Sequence, residues 1–149
     1  MFKKILFPTD FSDVSEKALD YIISLKGVGA ETVVIIHVID QRSINVLYNK
    51  ATKNYFKMEQ EMLARATRSL EEIKNLLEDY GFEVKTLIKT GFPVIEILNT
   101  EKEENVSIIV IGSHGKSNLK ELFLGSVSEK VIRKCEKPVL VVKRSTIHR

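Results

Sequence analysis

The sequence is short of the residues that hold a small fold together by chemistry. Among its 149 residues are one cysteine, three prolines, no tryptophan and 7% aromatics. A single cysteine, Cys135, excludes an internal disulfide framework and cysteine-cluster metal sites. It fits a reducing compartment, so a cytoplasmic location is expected. No apolar run approaches the ~20 residues of a membrane span, and no membrane partner is expected. The opening segment reaches Pro8 and Asp10 too early for a secretory signal. Neither sign of charge dominates, since 23 basic against 20 acidic side chains leave +3, scattered along the chain. Without a basic pattern interleaved with aromatics, nucleic acid is not an expected partner. The basic end, residues 143–149, reads as a solvated tail.

What the sequence does have is apolar bulk, with 44% hydrophobic residues beside 29% charged. At this length a single domain over residues 1–149 is expected. Such a chain buries roughly 70% of its unfolded surface and needs no metal or disulfide staple.

Ile5-Leu6-Phe7, ended by Pro8, predicts a first strand. Asp13 with Glu16 three residues later has the spacing of a helix start. Ala18, Leu19, Ile22, Ile23 and Leu25 give that helix an apolar stripe, and Gly27 and Gly29 end it. Residues 32–39 are apolar at both parities, broken only by His37, which predicts a strand covered on both faces. Residues 40–50 show no period and are expected to form a loop with no assignable role. From Ala51 onward Tyr55, Met58, Met62, Ala66, Leu70, Ile73 and Leu77 recur every three or four residues. They predict a long helix, with both methionines in its core stripe and a stop at Gly81. Residues 82–88 predict a third strand nearer an edge. Pro93 suits the first turn of the next helix. Residues 106–111 predict a fourth strand, a helix follows from about Ser126, and residues 138–142 predict a fifth strand.

Strands alternate with helices without repeat or linker. The expected fold class is α/β, a five-stranded parallel sheet, doubly wound and Rossmann-like, in a three-layer sandwich. Ligands of such sheets bind beyond the strand C-termini, where the strand order reverses. The loops after Phe7, Ile39 and Ile111 are therefore the ones to build a site.

The loop after Ile111 carries the most information. It turns at Gly112 and Gly115, then re-enters at Gly125-Ser126, where Ser126 and Glu129 have the spacing of a capping box. A helix start attracts anions through its free N–H groups and its dipole. Two glycine turns converging on one crevice suit a di- or triphosphate better than a lone carboxylate. The segment is not a P-loop, because Val110 stands where that motif needs its first glycine, and the G-x-G-x-x-G fingerprint is absent.

The spacing Gly112, two residues, Gly115, nine residues, Gly125-Ser126 resembles the nucleotide-binding signature of the ATP-binding universal stress proteins. Pro8-Thr9-Asp10-Phe11-Ser12 is similar to that family's opening strand and loop. His37-Val38-Ile39-Asp40 is similar to the end of its second strand, and Pro138-Val139-Leu140-Val141-Val142 to its last strand. The likeness runs in order through nearly the whole chain. It implies an adenine-nucleotide hydrolase-like fold and ATP as ligand, with adenine and ribose against Pro8, Thr9, Asp10 and Val38. Ile111 would flank the sugar, while Gly112 and Gly115 line the phosphate path. Gly125, Ser126, Val127 and Ser128 would hold phosphates through N–H groups and hydroxyls. His114, between two of the glycines, is a further candidate for phosphate. A divalent cation, Mg²⁺ or Mn²⁺, would bridge phosphate oxygens and need few protein ligands; no metal ligand is assigned to the protein. The resemblance also implies a homodimer through Val139 to Val142. A short, β-branched, uncharged edge invites such pairing, and a twofold axis would cover it in both copies.

Other residues take plainer readings. His37 is expected to be a satisfied structural histidine, and Cys135 ordinary packing with no nucleophile–base pair nearby. Asp10 could bond adenosine, orient a metal-bound water or form the turn. The expected function is a cytoplasmic, homodimeric, ATP-binding stress-response protein acting as a nucleotide-dependent switch, with ATP ordering residues 112–125 and a protein partner allowed for. Hydrolysis is expected to be slow or partner-dependent, because only Asp10 and His114 offer a general base. One rival is an adenylating enzyme. It would want a glycine-serine loop directly after the first strand, and Thr9 to Ser12 contains no glycine. The other rival is a dimeric interaction module with an empty crevice, and the glycine signature argues against it.

Overall fold

A computed structural model defines the fold and describes residues 1–44, 55–114 and 124–144. Five strands, β1 (Lys4–Pro8), β2 (Thr32–Asp40), β3 (Glu83–Gly91), β4 (Ile108–Gly112) and β5 (Val139–Val142), form one sheet in the order β3-β2-β1-β4-β5. Every pairing is parallel. Between the strands run helices α1 (Asp13–Leu25), α2 (Tyr55–Asp79), α3 (Pro93–Glu103) and α4 (Ser126–Lys134). The chain builds outward from β1 to β3, then returns to place β4 and β5 on β1's other side. This is the doubly wound α/β sheet expected from the sequence, and its order reverses between β1 and β4.

Both faces of the sheet are covered, which is why its strands are apolar at both parities. Ile5, Phe7, Val33, Ile35, Ile108 and Val110 pack with Ala18, Leu19 and Ile22 of α1 and Leu70 and Leu77 of α2. Leu6, Val34, Ile36, Ile109 and Ile111 pack with Ile97 of α3 and Val131 of α4. At the entrance to β5, the buried Glu101 of α3 accepts the backbone N–H groups of Glu136 and Lys137 at 2.9 and 2.8 Å. β5 is an edge strand, hydrogen-bonded to β4 alone among the strands, with Val139, Leu140 and Val141 half-buried.

Several local expectations are corrected. The N-cap of α1 is Ser12, whose side chain accepts from the Ser15 N–H, so Asp13 is the first helical residue and not the cap. The same one-residue shift occurs at α4. Gly125 is the N-cap, in extended conformation, and Ser126 already lies inside the helix, so Ser126 and Glu129 form no capping box. Residues 41–44 are helical and not loop, tethered where Arg42 pairs with Asp40 at 2.8 Å; residues 45–50 lie outside the described residues. β3 runs on to Gly91 because it pairs with β2 from Thr32↔Glu83 through Asp40↔Gly91. Met58 and Met62 are half-buried, and the buried positions of α2 are Ala66, Leu70 and Leu77. At 25 residues, α2 is about 37 Å long and outruns the strands it covers. Among the described residues no helix is long and apolar enough to cross a membrane.

Candidate functional site

The C-terminal ends of β1, β2 and β4 open into one crevice of about 280 Å³ where the strand order reverses. Pro8, Ile36, Val38, Asp40 and Ile111 reach it because they alternate onto the sheet face covered by α3 and α4. Thr9, Asp10 and Ser15 border it from the β1–α1 side, and Pro93 and Ile97 from α3. Gly112, His114, Gly125, Ser126, Val127 and Ser128 close the remaining wall.

The loop after β1 is fixed by a dense set of bonds. The Thr9 N–H donates to Ile36 O at 2.9 Å. Thr9 Oγ1 accepts the Phe11 N–H at 3.1 Å and is hydrogen-bonded to the Ser15 hydroxyl. Asp10 Oδ1 accepts the Ser12 N–H at 3.0 Å, so Asp10 forms the turn and lines the crevice as well. His37 Nδ1 donates to Thr9 O at 2.8 Å, and the Phe11 ring stacks on the imidazole with centroids 4.5 Å apart. These contacts hold Phe11 at φ 63°, a left-handed conformation that a bulky side chain rarely adopts. His37 is thus hydrogen-bonded and stacked, outside the lining of the crevice.

The opposite wall is where the ends of β4 and α4 meet. The Gly125 N–H donates to Ser113 O at 2.7 Å, and the Ser128 hydroxyl donates to Gly112 O at 2.7 Å. A Cβ on Gly112 would lie 3.0 Å from Val14 Cγ1 of α1, so any side chain there crowds that helix where β4 approaches it. The first backbone bond of α4 runs from the Glu129 N–H to Gly125 O at 2.9 Å. The N–H groups of Ser126, Val127 and Ser128 therefore precede any intrahelical acceptor, and Gly125 has no side chain to cap them. With the helix dipole they make an anion-attracting end facing the crevice. The Ser128 hydroxyl proton is taken by Gly112 O, which leaves that residue's backbone N–H as its donor toward a ligand.

His114 is buried, with Nδ1 hydrogen-bonded to Ser113 Oγ at 2.8 Å and Nε2 without a partner among the described residues. At the far side of the crevice, the Arg42 guanidinium holds the Asp40 carboxyl below its ordinary value, against the opposing effect of burial. Asp40 is accordingly an ionised acceptor at neutral pH. Among the described residues no group of three or more His, Cys, Asp or Glu side chains could hold a metal ion.

Of the residues singled out from the sequence, Pro8, Thr9, Asp10, Val38, Ile111, Gly112, His114, Gly125, Ser126, Val127 and Ser128 are brought to this one crevice. Gly115 lies outside the described residues. Sequence reasoning missed Ser15, Ile36, Asp40, Pro93 and Ile97 as lining residues. Ile36 and Asp40 share the face of Val38 by strand alternation, a signal that was present. Pro93 and Ile97 gave no signal, because their place depends on how α3 crosses the sheet.

Fold and site together define a doubly wound α/β protein with an anion-attracting crevice at its switch point. A sequence profile of the universal stress protein family matches residues 1–143. The universal stress protein MJ0577 of Methanocaldococcus jannaschii is 45% identical over 156 aligned positions, covering 97% of this chain and 96% of its own. A solved structure described as a structure-based assignment of the function of MJ0577 superposes with a TM-score of 0.90 at 47% identity, covering 98% of this chain and 99% of that one. The Bacillus subtilis universal stress protein YxiE is 36% identical, covering 96% of this chain and all of its own. A universal stress protein from Archaeoglobus fulgidus, solved in complex with dAMP, has a TM-score of 0.67 at 20% identity, with 96% and 98% covered, and shows the shared fold. The chain belongs to the universal stress protein family.

Proposed function

We propose that this protein is an ATP-binding member of its family and that the switch-point crevice is the nucleotide site. The observation that carries the reading is the meeting of Gly112 and His114 with the uncapped start of α4 in one crevice. The apolar side chains of Val38 and Ile111 offer a surface for the base, and Asp10 and Asp40 offer acceptors for ribose hydroxyls. The N–H groups of Ser126, Val127 and Ser128 then meet the phosphates. The A. fulgidus relative solved with dAMP supports an adenine nucleotide as the ligand class. Mg²⁺ or Mn²⁺ would arrive with the phosphates and be held by their oxygens and by water.

The reading extends to a homodimer and a switch within a single domain. β5 offers a second copy an uncharged edge of Val139, Leu140, Val141 and Val142. Any switching draws its free energy from ATP binding one state of the protein better than another.

Nucleotide released by heat from the purified protein and resolved by ion exchange tests the ligand. ATP is expected, and titration of the emptied protein with ATP should show saturable binding that is lost on Gly115→Val. Absence of nucleotide together with no ATP binding would overturn the reading. Sedimentation tests the dimer: the native chain should run as two copies, and Leu140→Lys as one.

A further inference from the structure

We propose that Ser113 is a positioning residue for the crevice, setting the tautomer of His114 so that an Nε2–H donor faces the ligand; this rests on the nucleotide reading above. Ser113 and His114 are 2% and 7% exposed, so neither side chain exchanges its partner for water. Ser113 sits at the junction of three elements. Its N–H donates to Val142 O at the end of β5 at 2.8 Å, its carbonyl accepts from Gly125 at 2.7 Å, and its hydroxyl meets His114 Nδ1 at 2.8 Å. The two backbone bonds fix the main chain that carries the hydroxyl beside the ring.

A neutral imidazole has one N–H and one acceptor nitrogen, and the partner of one nitrogen decides the state of the other. If the Ser113 hydroxyl donates to Nδ1, the ring proton is on Nε2. The reverse arrangement, Nδ1–H donating to Oγ, gives the Ser113 proton no acceptor among the described residues. It also turns a bare lone pair toward a site that already attracts anions. The first arrangement satisfies both residues and leaves one buried N–H, Nε2, unmatched among the described residues, on a side chain whose residue lines the crevice with Ser126 and Val127. Buried donors are rarely left unmatched. A phosphate oxygen supplies the acceptor that the described residues do not. The Nε2–H donor thus complements the backbone N–H groups of α4.

The test separates tautomer from ligand. Long-range ¹⁵N–¹H correlation spectra of the nucleotide-free protein report which ring nitrogen of His114 carries the proton. The Nε2–H form is expected in the native chain, and a mixture of both forms in Ser113→Ala. ATP affinity should fall roughly tenfold in Ser113→Ala, the worth of one charge-assisted hydrogen bond, and Ser113→Thr should restore both readouts. An Nδ1–H native form, or an unchanged tautomer and affinity in Ser113→Ala, overturns the proposal. A native protein that shows the Nε2–H form but binds no ATP would instead sink the nucleotide reading, since the spectrum is read without ligand.

Discussion

The Ser128 hydroxyl donates to the Gly112 carbonyl at 2.7 Å, a buried bond between residues 16 apart that fastens the first turn of α4 to the end of β4. Removing it leaves a buried carbonyl unsatisfied. Ser128→Ala should lose about 1–3 kcal/mol of stability, read as a lower urea midpoint with unchanged slope. The backbone N–H of residue 128 is untouched, so ATP binding should fall far less than stability would suggest.

Gly112 itself has no room for a branched side chain. With Val14 Cγ1 only 3.0 Å from the Cβ position, Gly112→Val crowds the Val14 side chain, which must give way. The expected cost is about 1–3 kcal/mol, accompanied by loss of ATP binding because the crevice wall moves. Thermal melting and calorimetric titration check the two effects separately.

Glu101 holds the entrance to β5. Its Oε1 accepts two backbone N–H groups, from Glu136 and Lys137, and the side chain is buried. Glu101→Ala would leave two donors unmatched and should cost about 3 kcal/mol. Glu101→Gln keeps an accepting oxygen and should cost less. Cys135 reports on the same region. Burial, with the Glu101 charge second, pushes its thiol above the ordinary value. Iodoacetamide should therefore alkylate it more slowly than a free thiol at pH 7.5, because less thiolate is present.

Acid should remove one identifiable contribution. Lys85 donates to the Glu104 carboxylate and holds it below its ordinary value of 4.5; burial opposes this, and Lys4 adds a second bond. A carboxyl depressed in the folded state stabilises fully above its unfolded pKa and loses that contribution as pH falls through the folded one. Glu104→Gln should cost roughly 1 kcal/mol at pH 7. The native and variant urea curves should converge as pH drops well below 4.5.

Much of this architecture was legible because two-sided burial writes itself into strands as apolar residues at both parities. Val33 and Val34, or Ile109 and Val110, could only belong to a sheet with helices on both faces. Helix starts were legible to within one residue. Ser12 and Asp13 are both competent acceptors, as Ser126 is after Gly125, and only backbone torsion decides which is the cap. Met58 and Met62 looked like core because periodicity reveals which face of a helix is apolar. It does not reveal how far the sheet extends beneath that face. At the crevice, the glycines and the residues ending β1, β2 and β4 announced themselves. Pro93 and Ile97 did not, since they arrive by a crossover whose angle no local pattern encodes.

The central position of β1 has a consequence for how the protein is made. Its N-terminal partner across the reversal comes late: the Lys4 N–H waits for Ser107, 103 residues downstream. On the ribosome, β1, β2 and β3 can zip together early, leaving one flank of β1 open until β4 emerges. The crevice's second wall begins at Gly112 and is completed later still, from Gly125. A ligand of the proposed site would therefore meet a complete crevice only after β1, β2 and β3 have paired.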